Sequence, residues 1–243
     1  METITSKAAV RTLLEPVTRN YDPRRKNEFV AALQTALLKK KIKFPLLEYA
    51  ATELYKAIPA NEQLAVTDKI IELQELGGNV LAGIILQLRL KDHFESSVQR
   101  AFQYIIAGNE WFVCDIIGER VLGFALLTQP EKTIPVLHRM SLHENKWIVR
   151  CIGVAAHYAI KKGLQKHYVQ QVFGLLLSLS GSTEFHTKKG IGWAAKTTAK
   201  FYPEIISEHQ QQLENDPQVK QWFKTKIRIG LGRTSKYAGK YNS

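Results

Sequence analysis

Apolar residues recur along this chain every three to four positions, the spacing that places them on one face of an α-helix. Val30, Leu33, Leu37 and Leu38 mark a helix over about 25–40. Leu46, Leu47, Ala50, Leu54 and Ile58 form the next stripe, which Pro59 stops. Leu64, Ile70, Ile71 and Leu73 make a third, with its end expected at Gly77 and Gly78. Leu81, Ile84, Ile85 and Leu88 mark a fourth, and Val98, Phe102, Ile105 and Ile106 a fifth that Gly108 is expected to end. The rhythm continues in predicted helices over about 110–127, 133–140, 146–161, 166–179, 184–201, 203–214 and 217–228, with Pro135 placed in the first turn of its helix. There is no sustained period-two alternation and no Asn-Gly or Asp-Gly hairpin turn, so strands are not expected.

About twelve helices joined by short connections predict antiparallel neighbours that pair. Helix pairs at a period of roughly 40 residues are the signature of HEAT-like or armadillo-like solenoids. The expected fold is therefore all-α: an α-α superhelix of about six HEAT-like helix pairs, whose concave face would be the binding face. Residues 1–229 would form one repeat domain and 230–243 a basic, flexible tail. The repeat shows in the tryptophans: Trp111 is followed by Asp115, Trp147 by Arg150 and Trp193 by Lys196, each pair sharing a helix face. A non-repetitive helical bundle is the alternative.

Charge adds a partner to this picture. The formal net charge is +12, a surplus that points to a polyanion, either nucleic acid or an anionic membrane surface. No acid follows Asp216, whereas Lys220, Lys224, Lys226, Arg228, Arg233, Lys236 and Lys240 do. Such a run is either a solubilising tail or an arm for phosphates. No apolar run is long enough for a membrane span, and Met1-Glu2-Thr3-Ile4 does not begin a signal peptide. Cys114 and Cys151 are the only cysteines, which excludes a disulfide framework and fits a reducing, cytoplasmic setting. The chain has no phosphate-binding Gly-rich loop, nucleophile elbow or zinc-protease motif. His138, His143, His157, His167 and His186 lie at no metal-ligand spacing, so neither metal nor cofactor is expected.

What remains is a set of four: Trp111, Asp115, Arg150 and Trp193. Asp115 and Arg150 sit in apolar runs, where an unpaired charge is costly. Either they pair as a structural salt bridge, or both face a groove that a polar ligand enters. The segments Asn-Glu-Trp-Phe-Val-Cys-Asp (109–115), Asn-Lys-Trp-Ile-Val-Arg (145–150) and Thr-Lys-Lys-Gly-Ile-Gly-Trp (187–193) resemble the signatures of the AlkD family of DNA alkylation-repair glycosylases. The likeness extends more loosely over most of the chain.

The resemblance implies a C-shaped array of HEAT-like pairs with duplex DNA in a basic groove. It implies release of cationic N3- or N7-alkylated purines, such as 3-methyladenine and 7-methylguanine, from a nucleotide left stacked in the helix. By the same resemblance Trp111 and Trp193 would pack on the deoxyribose beside the lesion, Asp115 would be the catalytic carboxylate, and Arg150 would touch backbone phosphates. Trp147, Lys188, Lys189, Lys196 and Arg233 are further candidates for DNA contact, with a monomer as the working unit. The chain departs from the family pattern near its second helix: Lys41 stands where a Gly is usual, Ala32 where an aromatic is usual, and an Arg after Pro45 is lost. Some relatives keep the fold and bind duplex or branched DNA without catalysis, and a protein-binding scaffold is a third class. Neutralising Asp115 separates the first two, and the salt dependence of DNA binding separates both from the third.

Overall fold

A computed structural model describes residues 2–234. The described residues are all-α apart from a two-residue parallel pairing, β1 (Thr3–Ile4) beside β2 (Lys41–Ile42). Packing divides the chain into two compact units that meet between Tyr104 and Ile105.

In the first unit, α1 (Lys7–Arg19) starts at Ser6, whose hydroxyl accepts the Ala9 N–H at 3.1 Å. It is followed by α2 (Lys26–Leu33), which widens into a π-helical turn at Gln34–Leu38, and by α3 (Phe44–Ala57), α4 (Gln63–Glu72) and α5 (Leu76–Arg89). Helix α6 (Phe94–Gly108) runs across the boundary. Helix α1 packs on α3, α3 on α5 and α2 on α4, so alternate helices form rows, and α4 on α5 joins the rows. Gly77 and Gly78 do not end a helix. They lie inside the first turn of α5, where a methyl on Gly77 would stand 3.0 Å from Leu38 Cδ2. The break before α5 is made instead by Gln74, whose φ is 53°.

The second unit opens with α7 (Trp111–Ile117), a π-helical turn (Gly118–Gly123) and α8 (Phe124–Thr128). Then come α9 (Pro130–Ser141), α10 (Lys146–Lys161), α11 (Lys166–Ser178), α12 (Phe185–Phe201), α13 (Pro203–Glu208), α14 (Gln210–Asn215) and α15 (Gln221–Leu231). One row is α7–α8, α10, α12 and α15; α9 and α11 pack against its other side. Helix α10 is covered along nearly its whole length, which explains its unbroken apolar run from Trp147 to Ala156 with only Arg150 charged.

Glycine sets the spacing of this row. A methyl on Gly153 would collide with the Gly190 carbonyl, and one on Gly190 would lie 2.9 Å from Arg150 Cγ, so α10 and α12 approach backbone to backbone. The cross-contacts keep one order: Cys114 with Trp147, Asp115 with Arg150, then Arg150 with His186 and His157 with Thr197. Successive row helices therefore run in the same direction, and these contacts join residues 33 to 40 apart, close to the roughly 40-residue period of the sequence pattern.

Several expected boundaries move. Gly108 is the last helical residue of α6, and Asn109 takes the left-handed turn at φ 46°. Helix α9 begins a turn earlier than expected, with Pro130 at its start, which leaves Pro135 inside the helix. The stretch expected as one helix over 203–214 is broken at His209. Helix α15 starts at Gln221 and continues through Gly230 and Leu231, so the first two residues assigned to the tail are helical. Lys236 and Lys240 of the expected tail lie outside the described residues. Among the described residues no helix is long and apolar enough to cross a membrane.

Candidate functional site

Helix α7 begins where Asn109 turns the chain, which puts Trp111 at the first helical position, 54% exposed. Asp115 follows one turn later on the same face. Its neighbours Val113, Cys114, Ile116 and Ile117 are buried and fix the helix in the core.

Helix α10 is started by Asn145, whose side-chain oxygen accepts the Trp147 N–H at 2.9 Å. Trp147 is only 3% exposed. Its indole Nε1–H donates to Asn109 Oδ1 at 2.7 Å, and its ring lies 4.2 Å from that of His186. Trp147 therefore ties together the starts of three helices, and its ring is not presented at the surface. The expectation that Trp147 contacts DNA is at odds with this burial.

Arg150 comes one turn after Trp147. Its Nε donates to Asp115 Oδ1 at 2.9 Å and its Nη2 to Asp115 Oδ2 at 2.7 Å, a bidentate pair. Its Nη1 donates to the His186 carbonyl at 3.4 Å. The side chains are 9% exposed for Arg150 and 18% for Asp115, so the guanidinium is inside and the carboxylate at the edge. Burial works against the Arg150 charge, but the hydrogen bonds and charge of Asp115 outweigh it and hold the guanidinium above its ordinary range.

Helix α12 is capped by Glu184, which accepts the His186 N–H at 3.0 Å and the Thr187 N–H. Burial alone would raise the Glu184 pKa, but these backbone donors carry it below the usual range. Lys188 and Lys189 occupy the first turns of this helix, and Lys189 Nζ stands 5.1 Å from the Phe185 ring centre. Phe185 is 59% exposed. Trp193 lies two turns beyond His186, about 10 Å along the seam by helical rise. It stays half-exposed and is stacked on His157, with ring centres 3.9 Å apart and planes at 23°. Trp193 is thus not the equivalent of Trp147: Trp147 sits at the start of its helix, Trp193 in the middle.

Below Trp193 lies a group of cations. Lys196 is half-buried. Burial depresses its pKa first, and Arg233, Lys226 and Lys200 press it down further. The stem of Lys226 covers Gly192, where a methyl would meet its Cγ at 2.9 Å. Lys196, Lys226 and Arg233 have no carboxylate partner among the described residues. Charges left uncompensated in this way are ready for an external anion.

The fold thus brings Asp115 and Arg150 into contact, sets Trp111 on the face of Asp115, and places Trp193 further along the next seam. Lys188 and Lys189 lie near the start of α12, and Lys196 and Arg233 gather near its other half. The family model for DNA alkylation repair enzymes matches residues 18–224.

The chain belongs to the DNA alkylation repair enzyme family.

Its role is accordingly in the repair of alkylated DNA, with DNA as the substrate. No curated relative matches the chain. The family match takes in both units and all of Trp111, Asp115, Arg150 and Trp193, while Arg233 lies beyond it. Sequence reasoning gave no site role to Asn109 or His157, and it named Lys226 only within the basic run after Asp216. The spacing held a signal for His157: it stands seven residues after Arg150 and so shares its helix face.

Proposed function

We propose that this family member is a monofunctional DNA glycosylase that releases cationic N3- or N7-alkylated purines from duplex DNA. The observation that carries the reading is the Asp115 carboxylate, anchored from inside by buried Arg150 and open at the edge beside exposed Trp111. Alkylation at N3 or N7 already gives the purine a positive charge. The glycosidic bond can then break with its electron pair moving to the base, so no general acid is required. Positive charge develops at the sugar C1′, as in glycoside hydrolysis. A fixed carboxylate stabilises that charge, and aromatic faces on the sugar add cation–π attraction. Water then adds at C1′ and loses a proton. Asp115 takes the first role, Trp111 and Trp193 the second. Uncharged lesions are outside this route, and no cofactor enters it.

Arg150 serves two ends in this reading. Three of its five N–H donors are engaged with Asp115 and His186, and two remain for a backbone phosphate. Lys188, Lys189, Lys196, Arg233 and Lys226, from the basic run after Asp216, supply further phosphate contacts. Trp147 is assigned to the scaffold. A second reading, DNA binding without catalysis, has one observation on its side: both Asp115 oxygens are already held by Arg150. The experiment that decides is release of free base from a duplex carrying one 7-methylguanine, with Asp115→Asn assayed beside the native protein. Loss of release with DNA affinity retained supports the glycosylase. Absence of release by the native protein, with DNA still bound, favours the second reading.

A further inference from the structure

His157 and Trp193 form a stack whose hydrogen bonding can be assigned atom by atom. The Thr197 hydroxyl has one proton, and it donates this to the Trp193 carbonyl at 2.9 Å. The contact of 2.7 Å between Thr197 Oγ1 and His157 Nδ1 must then be donated by the histidine. His157 is therefore the tautomer with its proton on Nδ1. The chain of donors runs from the imidazole through the hydroxyl to the backbone of the very residue that lies on the imidazole. Ring plane, ring position and the local turn of α12 are fixed together.

His157 is on α10, seven residues after Arg150, and Trp193 on α12, seven after His186. Arg150, which holds Asp115 of α7, and His157, which holds Trp193 of α12, thus lie two turns apart on α10. The crossing of Gly153 and Gly190 between these levels leaves the seam little freedom to slide.

We propose that His157 is a positioning residue for Trp193, a shelf that covers one face of the indole and aims the rest of the ring at the sugar beside the lesion. This rests on the glycosylase reading, in which Trp193 touches the substrate. The charges facing His157 are Lys161 on its own helix and Lys196 and Lys200 on α12, all cationic. Burial first and these lysines second hold the imidazole down to a pKa of about 3, so the shelf is neutral at any pH where DNA repair takes place. Neutrality matters to the geometry: a second ring proton would place a fourth cation among three.

The test uses the full chain with its four tryptophans labelled as 5-fluorotryptophan. Fluorine NMR then gives a resonance for Trp193, assigned with Trp193→Phe. His157→Ala is expected to move or broaden that resonance and to slow release of 7-methylguanine by roughly tenfold at saturating protein, with DNA affinity unchanged. His157→Phe keeps a flat ring under the indole and should bring back both the resonance and most of the rate. Thr197→Val is a milder probe if His157→Ala does not fold: it removes the acceptor of the Nδ1 proton and should shift the same resonance. A folded His157→Ala protein with an unmoved Trp193 resonance overturns the shelf. A moved resonance with undiminished release overturns its functional part. If Trp193→Ala also releases base normally, that failure belongs to the role given to Trp193 and not to the stack.

Discussion

Asp115→Asn is the substitution with the most to say, because the side chain keeps its shape while losing its charge. The bidentate pair presents two guanidinium donors to two carboxylate oxygens. An amide offers one oxygen and turns its own N–H groups toward the other donor. Arg150 is then left inside the protein with an unmatched charge. Breaking a buried pair in this way costs about 3–5 kcal/mol, and the exposed edge of Asp115 argues for the lower end. The catalytic loss is separate. Removing a fixed group that stabilises developing charge typically slows a reaction by about 10²–10³-fold, or about 3–4 kcal/mol in the barrier. The assay is single-turnover release of 7-methylguanine, run well below the unfolding midpoint of the variant, with DNA affinity measured by fluorescence anisotropy. The two effects then read out independently, one in the melting curve and one in the rate constant. A folded Asp115→Asn protein that releases base at close to the native rate would falsify the catalytic assignment and leave the pair a structural bridge.

Four further outcomes follow from the same geometry. Trp147→Phe removes the hydrogen bond to Asn109 and part of a buried ring, so a loss of about 1–3 kcal/mol is expected in denaturant unfolding, with DNA affinity at low temperature unchanged. Gly190→Ala drives a methyl into the Arg150 backbone; it should cost about 3 kcal/mol in unfolding experiments and lower base release as well, since it shifts the residue that holds Asp115. His157 has a folded pKa of about 3 against an ordinary value near 6.5. Its neutral form stabilises the fold above pH 6.5, and this is lost progressively as the pH falls toward 3, because the unfolded chain takes the proton first. Between pH 7 and pH 5 that amounts to about 2 kcal/mol, so urea unfolding of His157→Phe should show a drop smaller by that amount. Lys226→Ala should lower the slope of log affinity against log salt by about one unit for any DNA sequence, and an unchanged slope would take Lys226 out of the phosphate contacts.

Helical periodicity carried most of this architecture, because each row helix buries an apolar stripe that repeats at the helical spacing. Helix α10 was found to within a residue at both ends: Asn145 caps it and Gly163, at φ 98°, follows it. Punctuation by glycine was less legible. Gly77, Gly78 and Gly230 read as breaks but are there for close packing, whereas Gln74 makes a left-handed turn that its side chain does not advertise. The misplaced start of α9 has a similar cause, since two prolines compete for one role and Pro130 takes it. At the site, Asp115 and Arg150 were visible as charges in apolar runs, but their mutual contact was one of two open readings. Trp147 looked like its sister tryptophans and turned out to be core, because burial is decided by the neighbouring helix. His157 was missed for the same reason: its meaning comes from Trp193 and Thr197, 36 and 40 residues away in sequence.

Cys114 and Cys151 stand directly behind the Asp115–Arg150 pair, one on each of its helices, and neither has any exposed surface. A hydrogen bond that the Cys151 thiol makes to Cys114, and then burial, push the Cys151 thiol up in pKa. Thiolates are the protein groups that soft electrophiles attack most readily, and a fully covered, protonated thiol reacts slowly. A protein that works on alkylated DNA meets the same reagents that made the damage. In the folded protein both sulfhydryls are covered, so attack at sulfur by those reagents requires the α7–α10 packing to open first.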